Sequence, residues 1–335
     1  ESAVACPCPT CNGAAPSSDW QPLSVKTGAV AAGHYYVPEG GIQLTGALTV
    51  SSNVVIDLRG QTITAKANTR TVEIGSAGTL TILDSTARTE VVDGQEQYIA
   101  GKLQANGAIE SSYGGNIRVN GGKLYVYSGI LADGSASTGG NINVRSSGKA
   151  YLRGGLITGG RATDTGANLY VNASTVEISG NTKGFGGGVE VVGTFNMSGG
   201  TIDGGVESYT NQSAVKLSGN AVIKSADTAK PSLSLSGGAL LAVDGSFQSG
   251  AAIVVSSAEG TKTAASGSHA YKANITSDKG LLVTVEADGM YLRTHTHCSA
   301  DCGMIDGQHA AGCSGYDMIG WTVWNGGDIT EDGKY

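Results

Sequence analysis

Hydrophobic and polar residues alternate along this chain in short runs, and glycine-rich turns separate one run from the next. The clearest copies read Gly114-Gly115-Asn116-Ile117-Arg118-Val119, Gly139-Gly140-Asn141-Ile142-Asn143-Val144 and Gly166-Ala167-Asn168-Leu169-Tyr170-Val171. Alternation with period two is the pattern of a strand with one buried face. Gly187-Gly188-Val189-Glu190-Val191 and Ser213-Ala214-Val215-Lys216-Leu217 extend the series more loosely. The first inward residues, Ile117, Ile142, Leu169, Val189 and Val215, are spaced 25, 27, 20 and 26 residues apart. A second strand follows each first one, with inward pairs Leu124/Val126, Ala150/Leu152, Val176/Ile178, Phe195/Met197 and Ala221/Ile223. A third short element carries Leu131, Ile157 and Ile202 beside glycines.

Two or three short strands repeated at this interval predict an all-β solenoid in which each coil stacks on the next. About eleven coils at ~4.8 Å each would make a rod on the order of 50 Å long. Asn116, Asn141 and Asn168 recur at one corner and are predicted to stack as a hydrogen-bonded ladder. Five of the six prolines lie in the first 38 residues, and only Pro231 falls later. That distribution suits a body, from about Ile42 to Arg293, whose N–H groups are committed to sheet ladders.

The segments Gly33-His34-Tyr35-Tyr36-Val37, Val55-Ile56-Asp57-Leu58-Arg59-Gly60-Gln61-Thr62-Ile63 and Thr79-Leu80-Thr81-Ile82-Leu83-Asp84, with the later Gly-Gly-Asn-Ile turns, carry a resemblance. Over about Tyr35 to Arg293 the chain resembles right-handed parallel β-helix proteins of the pectate-lyase-like class. More narrowly, it looks like the Gly-rich β-helix modules of large surface proteins in Gram-positive, gut-type bacteria. The resemblance implies a right-handed parallel β-helix over 35–293, with small irregular linkers at 1–34 and 294–335. It speaks weakly to function, because this fold hosts lyases, hydrolases, adhesins and passive spacers alike.

Composition agrees with the pattern. Of 335 residues, 53 are glycine, and 3 Trp, 13 Tyr and 3 Phe make up the aromatics. Glycine at that density disfavours helices by roughly 1 kcal/mol per site relative to alanine, yet suits the corners of a coil. Lys+Arg 21 against Asp+Glu 28 gives −7 with no basic stripe, so nucleic acid is not an expected partner. No apolar run approaches the 18 or so residues of a membrane span. Glu1 opens directly on a Cys/Pro segment, without an initiator methionine or signal peptide. The expectation is a processed piece of a longer extracellular or cell-surface protein.

Candidate chemistry falls in three places. The acids best placed for a carbohydrate-active enzyme are Asp57 (beside Arg59), Asp84, Asp133, Asp164 and Asp203. Asp133 and Asp203 sit beside glycine as ordinary turn formers, and no two acids are expected at matching outward positions on neighbouring coils. No nucleophile elbow or phosphate loop occurs. Stacking also turns sequence positions into columns: Tyr125, Tyr151, Glu177 and Asn196 in one, Tyr127, Arg153, Ser179 and Ser198 in the next. Tyr125, Tyr127, Tyr151 and Arg153, near Tyr170 and Arg118, would form a patch suited to a glycan or a host protein, or simply to cross-strand stacking.

The third place is the termini. All six cysteines lie there, as Cys6, Cys8, Cys11 and Cys298, Cys302, Cys313, with His295, His297 and His309 beside the second group. Cys298, Cys302, His309 and Cys313, with His295 or His297 as substitutes, have the donor chemistry of a structural zinc site. Disulfides in an oxidising compartment are the other reading. Cys11, Trp20 and Gly33 recur as Cys313, Trp321 and Gly333, at offsets of 302, 301 and 300. One period of a tandem array, meeting neighbouring repeats or subunits head-to-tail, is therefore expected. The combined expectation is a non-enzymatic structural or adhesive module of a fibre-forming surface protein. The alternatives are a polysaccharide lyase or glycoside hydrolase, and a glycan- or protein-binding module.

Overall fold

A computed structural model describes residues 20–178, 183–185, 188–225 and 231–243. Beyond these it describes 247, 253–257, 262–264, 275–277, 279, 281–286, 289–294, 304–305 and 308–309. Among them the protein is all-β, without a helix, and is dominated by large parallel sheets, an arrangement compatible with a parallel β-helix.

The chain returns again and again to the same three ladders. The first runs through Gly28–Val30, Leu48–Val50, Val72–Ile74, Ile117–Asn120, Ile142–Arg145 and the start of Leu169–Ile178. It continues through the start of Val189–Met197, then Val206–Ser208, Leu233–Leu235, Ile253–Ser256 and Ile275–Ser277. The second ladder passes from Gln21–Pro22 through Gly33–Tyr36, Asn53–Asp57, Thr79–Leu83, Lys123–Val126 and Lys149–Leu152. It then takes in the second halves of the two long strands, Ala214–Leu217 and Leu240–Val243. A third, shorter ladder joins Ile42–Gln43, Thr62–Thr64, Lys102–Gln104, Ile130–Ala132, Leu156–Thr158 and Lys183–Phe185. The ladders thus begin at Gln21, ahead of residue 35.

Every pairing in these ladders is parallel and stacks one inward residue on its equivalent. Ile117, Ile142, Leu169 and Val189 lie in register, as do Leu124, Ala150, Val176, Phe195 and Val215. All nine are at most 1% exposed and belong to one continuous core running from Leu23 to Leu292. Burying each such Val, Leu, Ile or Phe side chain contributes about 1.5–3 kcal/mol, so the stack of inward residues is the main stabilising term.

One stretch departs from the expected sequence of strands. Val189–Met197, like Leu169–Ile178 before it, is a single strand serving both the first and second ladders, and it runs through Gly193 without a turn. The chain therefore re-enters the first ladder at Val206, only 17 residues after its partner Val189. Ala214–Leu217 accordingly lies in the second ladder, with Val215 under Phe195, and Ile223 pairs with Ile202 in a separate two-stranded element.

The corners are held by polar side chains. Asn116, Asn141 and Asn168 form the predicted ladder, fully buried. Asn116 Nδ2 donates to Asn141 Oδ1 at 2.7 Å, and Asn141 Nδ2 donates to Asn168 Oδ1. Thr71 Oγ1 continues the ladder upward, donating to Asn116 Oδ1 at 2.8 Å. The turns ahead of these asparagines need glycine: Gly139 has φ +62°, and a Cβ there would sit 2.2 Å from the Ile142 carbonyl oxygen. Three antiparallel elements interrupt the parallel scheme among the described residues, the smallest being Met304–Ile305 with Gln308–His309. The hairpin Arg88–Val92/Gln95–Ile99 stands out between the second and third ladders, with Val91 70% exposed. Leu281–Glu286, Gly289–Thr294 and Lys262–Ala264 form a three-stranded sheet whose Leu281 and Leu292 join the core.

Candidate functional site

Outward positions of the second ladder form the expected tyrosine column. Tyr125 pairs with Tyr151, Tyr151 with Glu177 and Glu177 with Asn196. The Tyr125 and Tyr151 rings stack at 4.6 Å with planes 12° apart, and Tyr127 lies nearly parallel to Tyr125 at 6.4 Å. Arg153 sits 5.5 Å from the Tyr151 ring centre and pairs with Glu177 at 3.2 Å. Burial, with the neighbouring phenol second, holds Tyr125 above the ordinary tyrosine value, so the stack is uncharged at neutral pH. Tyr127 also packs with Trp20 against Val55 and Leu83, an apolar cluster on the outward side of the same ladder. Tyr170 is not part of this face: it belongs to the outward column of the first ladder, with Arg118 and Asn143.

That first-ladder column runs Glu73, Arg118, Asn143, Tyr170, Glu190, Glu207, Ser234. The two acids Glu190 and Glu207 therefore do occupy matching outward positions on neighbouring strands, against expectation. The reason is the short return described above. Once Val215 is taken for the partner of Val189, Lys216 rather than Glu207 faces Glu190.

The two ends of this column differ. Glu73 is neutralised twice: Arg118 Nη2 lies 2.6 Å from its Oε1, and Arg70 Nη1 lies 2.9 Å from its Oε2. Glu190 is 2% exposed, and no described cation pairs with it. The Tyr209 hydroxyl donates to its Oε1, Thr165 adds a second side-chain hydrogen bond, and Oε2 is buried with no partner. Tyr209 is in turn hydrogen-bonded to Tyr170, whose hydroxyl accepts from Asn172 Nδ2 at 3.1 Å. Burial foremost, and the Glu207 charge beside it, push the Glu190 carboxyl up from its ordinary value; the two hydroxyl donors oppose this. Burial and the bond to Glu190 likewise hold the Tyr209 phenol far above its usual value. Glu190 and Glu207 line a cleft of about 360 Å³, together with Asp164, Thr165 and Ser234.

Of the other acids singled out in the sequence, Asp57, Asp84 and Asp133 do structural work. Asp57 Oδ1 accepts from the Arg59 N–H at 3.1 Å and, one layer on, from the Ser85 N–H at 2.9 Å. Asp84 accepts from Thr86 N at 2.7 Å, from Gly60 N at 3.0 Å and from Gly101 N. Both carboxylates are nearly fully buried and spent on backbone donors that stitch adjacent layers together. Asp133 takes φ +57° in its turn and accepts from Gln104 Nε2 at 2.7 Å. Asp164 is the one that reaches the cleft, and Asp203 stands outside it.

The expected metal ligands Cys298, Cys302, Cys313, His295 and His297 lie outside the described residues. Of that set only the backbone of His309 is described, in a short antiparallel pairing with Met304. Among the described residues no three His, Cys, Asp or Glu side chains come together to hold a metal ion. Nor is any described helix long and apolar enough to cross a membrane. Compared with protein families, with curated proteins and with solved structures, the chain matches none. What defines it is its architecture, an all-β protein of long parallel ladders.

Proposed function

We propose that this chain is a right-handed parallel β-helix rod, a non-enzymatic structural or adhesive module of an extracellular surface or fibre-forming protein. Neighbouring modules would join head-to-tail through the Cys/His segment 294–335, held by zinc or by disulfides. The supporting observation is the parallel register of the first ladder, kept from Gly28–Val30 to Ile275–Ser277 while one core runs its length. Such a stack resists bending because each layer is hydrogen-bonded to the layers on either side. Small-angle scattering and electron microscopy test it. A stiff particle on the order of 50 Å long is expected from about eleven layers at the inter-strand spacing. A compact, isotropic particle of this mass would overturn the reading.

A second reading, a glycan- or protein-binding face, is supported by the Tyr125–Tyr151 stack flanked by the Arg153–Glu177 pair. Planar uncharged rings beside hydrogen-bonding groups suit a sugar ring or a protein hot spot. The double variant Tyr125→Ala/Tyr151→Ala should then lose at least about tenfold in binding on glycan or host-protein arrays, since burying one such ring is worth more than 1.4 kcal/mol. Unchanged binding would leave the stack as sheet stabilisation alone. A carbohydrate-active alternative would draw on Glu190 and Glu207. Yet the Tyr209 hydroxyl holds Glu190 Oε1 as an acceptor, which favours binding over proton transfer.

A further inference from the structure

The outward column of the first ladder contains its own comparison. At one end Glu73 sits between two guanidinium groups, from Arg70 and Arg118. At the other end Glu190 is more deeply buried than Glu73, and no described residue supplies a cation. Its Oε1 accepts from Tyr209, while Oε2 is buried and without a hydrogen-bond partner. A buried acceptor left unmatched costs about 1–3 kcal/mol, more when it is charged, so a donor that reaches it gains that much. Glu190 and Glu207 are register partners, one strand spacing apart, and both residues line the same cleft. Its volume of about 360 Å³ falls in the range of small organic ligands. A metal ion is the poorer match: Asp164 lines the same cleft, yet no three described His, Cys, Asp or Glu side chains come together closely enough to hold one.

We propose that the Glu190/Glu207 cleft is a binding site for a guanidinium group, presented by an arginine side chain of a polypeptide partner. A planar guanidinium has five N–H donors in a fixed fork, enough to satisfy Glu190 Oε2 and the more exposed Glu207 together. The Arg70–Glu73–Arg118 cluster shows the same face accepting that chemistry within the chain. The inference does not depend on the rod reading, since it concerns local side chains of three adjacent layers.

The test is calorimetric titration with three probes: a short capped peptide containing arginine, the same peptide with citrulline, and free arginine. Citrulline keeps the shape and removes the charge. Saturable binding of the arginine peptide is expected, at least tenfold tighter than citrulline and weakening as salt rises. Glu190→Gln and Glu207→Gln should each reduce it at least tenfold. Glu207 is exposed, so its variant keeps the fold and decides the matter should Glu190→Gln fail to fold. Equal affinity for the citrulline peptide, or binding untouched by Glu207→Gln, would overturn the proposal. Free arginine binding as tightly as the peptide would replace the polypeptide by a small molecule and so overturn that part. Saturable Ca²⁺ binding that Glu207→Gln abolishes, without arginine binding, would put a metal in its place.

Discussion

Replacing Asn141 by alanine is expected to destabilise the chain by about 2–5 kcal/mol, two buried donors each costing 1–3 kcal/mol when left unmatched. Asn141 is the middle member of the asparagine ladder. Its Oδ1 accepts from Asn116 Nδ2 at 2.7 Å and from Gly134 N at 2.9 Å. Its Nδ2 donates to the Thr158 carbonyl at 2.8 Å and to Asn168 Oδ1. Alanine would remove all four bonds and leave the Gly134 N–H and one Asn116 Nδ2 hydrogen unmatched. The Thr158 carbonyl keeps Asp133 N, and Asn168 Oδ1 keeps Gly160 N. Neighbouring Asn143 supplies the comparison: its one described bond goes to Thr138 at 2.9 Å, and its Oδ1 already lacks a partner. Asn143→Ala should therefore cost about 1 kcal/mol or less. Urea-unfolding midpoints of the two variants check this. Equal losses would mean that the ladder fixes register without adding stability.

Phe195→Ala should be comparably damaging, by about 3–5 kcal/mol, as expected when a fully buried aromatic leaves a cavity. Among the described residues Phe195 heads the fully buried side chains by volume, and it lies in register between Val176 and Val215. Its neighbours cannot collapse into the space, because each is fixed by ladder hydrogen bonds to the layer beyond. In a stack where each layer touches only its neighbours, the damage should also be local. Hydrogen exchange should speed up across the strands around Val176, Phe195 and Val215 while Leu48–Val50 and Val72–Ile74 stay protected. Uniform loss of protection along the whole chain would show that the layers unfold as one cooperative unit.

Much of this architecture is legible in the sequence because each copy repeats both its glycine corner and its inward pair. Lys123-Leu-Tyr-Val and Lys149-Ala-Tyr-Leu have the same alternation 26 residues apart, so the Tyr125–Tyr151 column follows from spacing alone. The asparagine corner is legible for the same reason. The acidic pair is not, because its layer drops the cue: Val189–Met197 runs straight through Gly193 without a glycine-rich turn. Counting by turns then skips Val206–Ser208 and puts Lys216 opposite Glu190. The uses of Asp57 and Asp84 are hidden for a different reason. Their acceptors serve donors one layer away, such as Gly60 and Ser85, a pairing that only the stacked backbone brings together.

The exposed hairpin at Arg88–Ile99 shows what the stack leaves free. Val72 pairs directly with Ile117 although 45 residues separate them, whereas Val189 and Val206 make the same pairing across 17. The ladders thus set which residues meet and leave the length of chain between them open. Between Leu83 and Lys102 this lets extra sequence accumulate at the surface without shifting a single inward residue. The tip at Asp93-Gly94, both with positive φ, is the natural point at which a foreign epitope would be grafted for display.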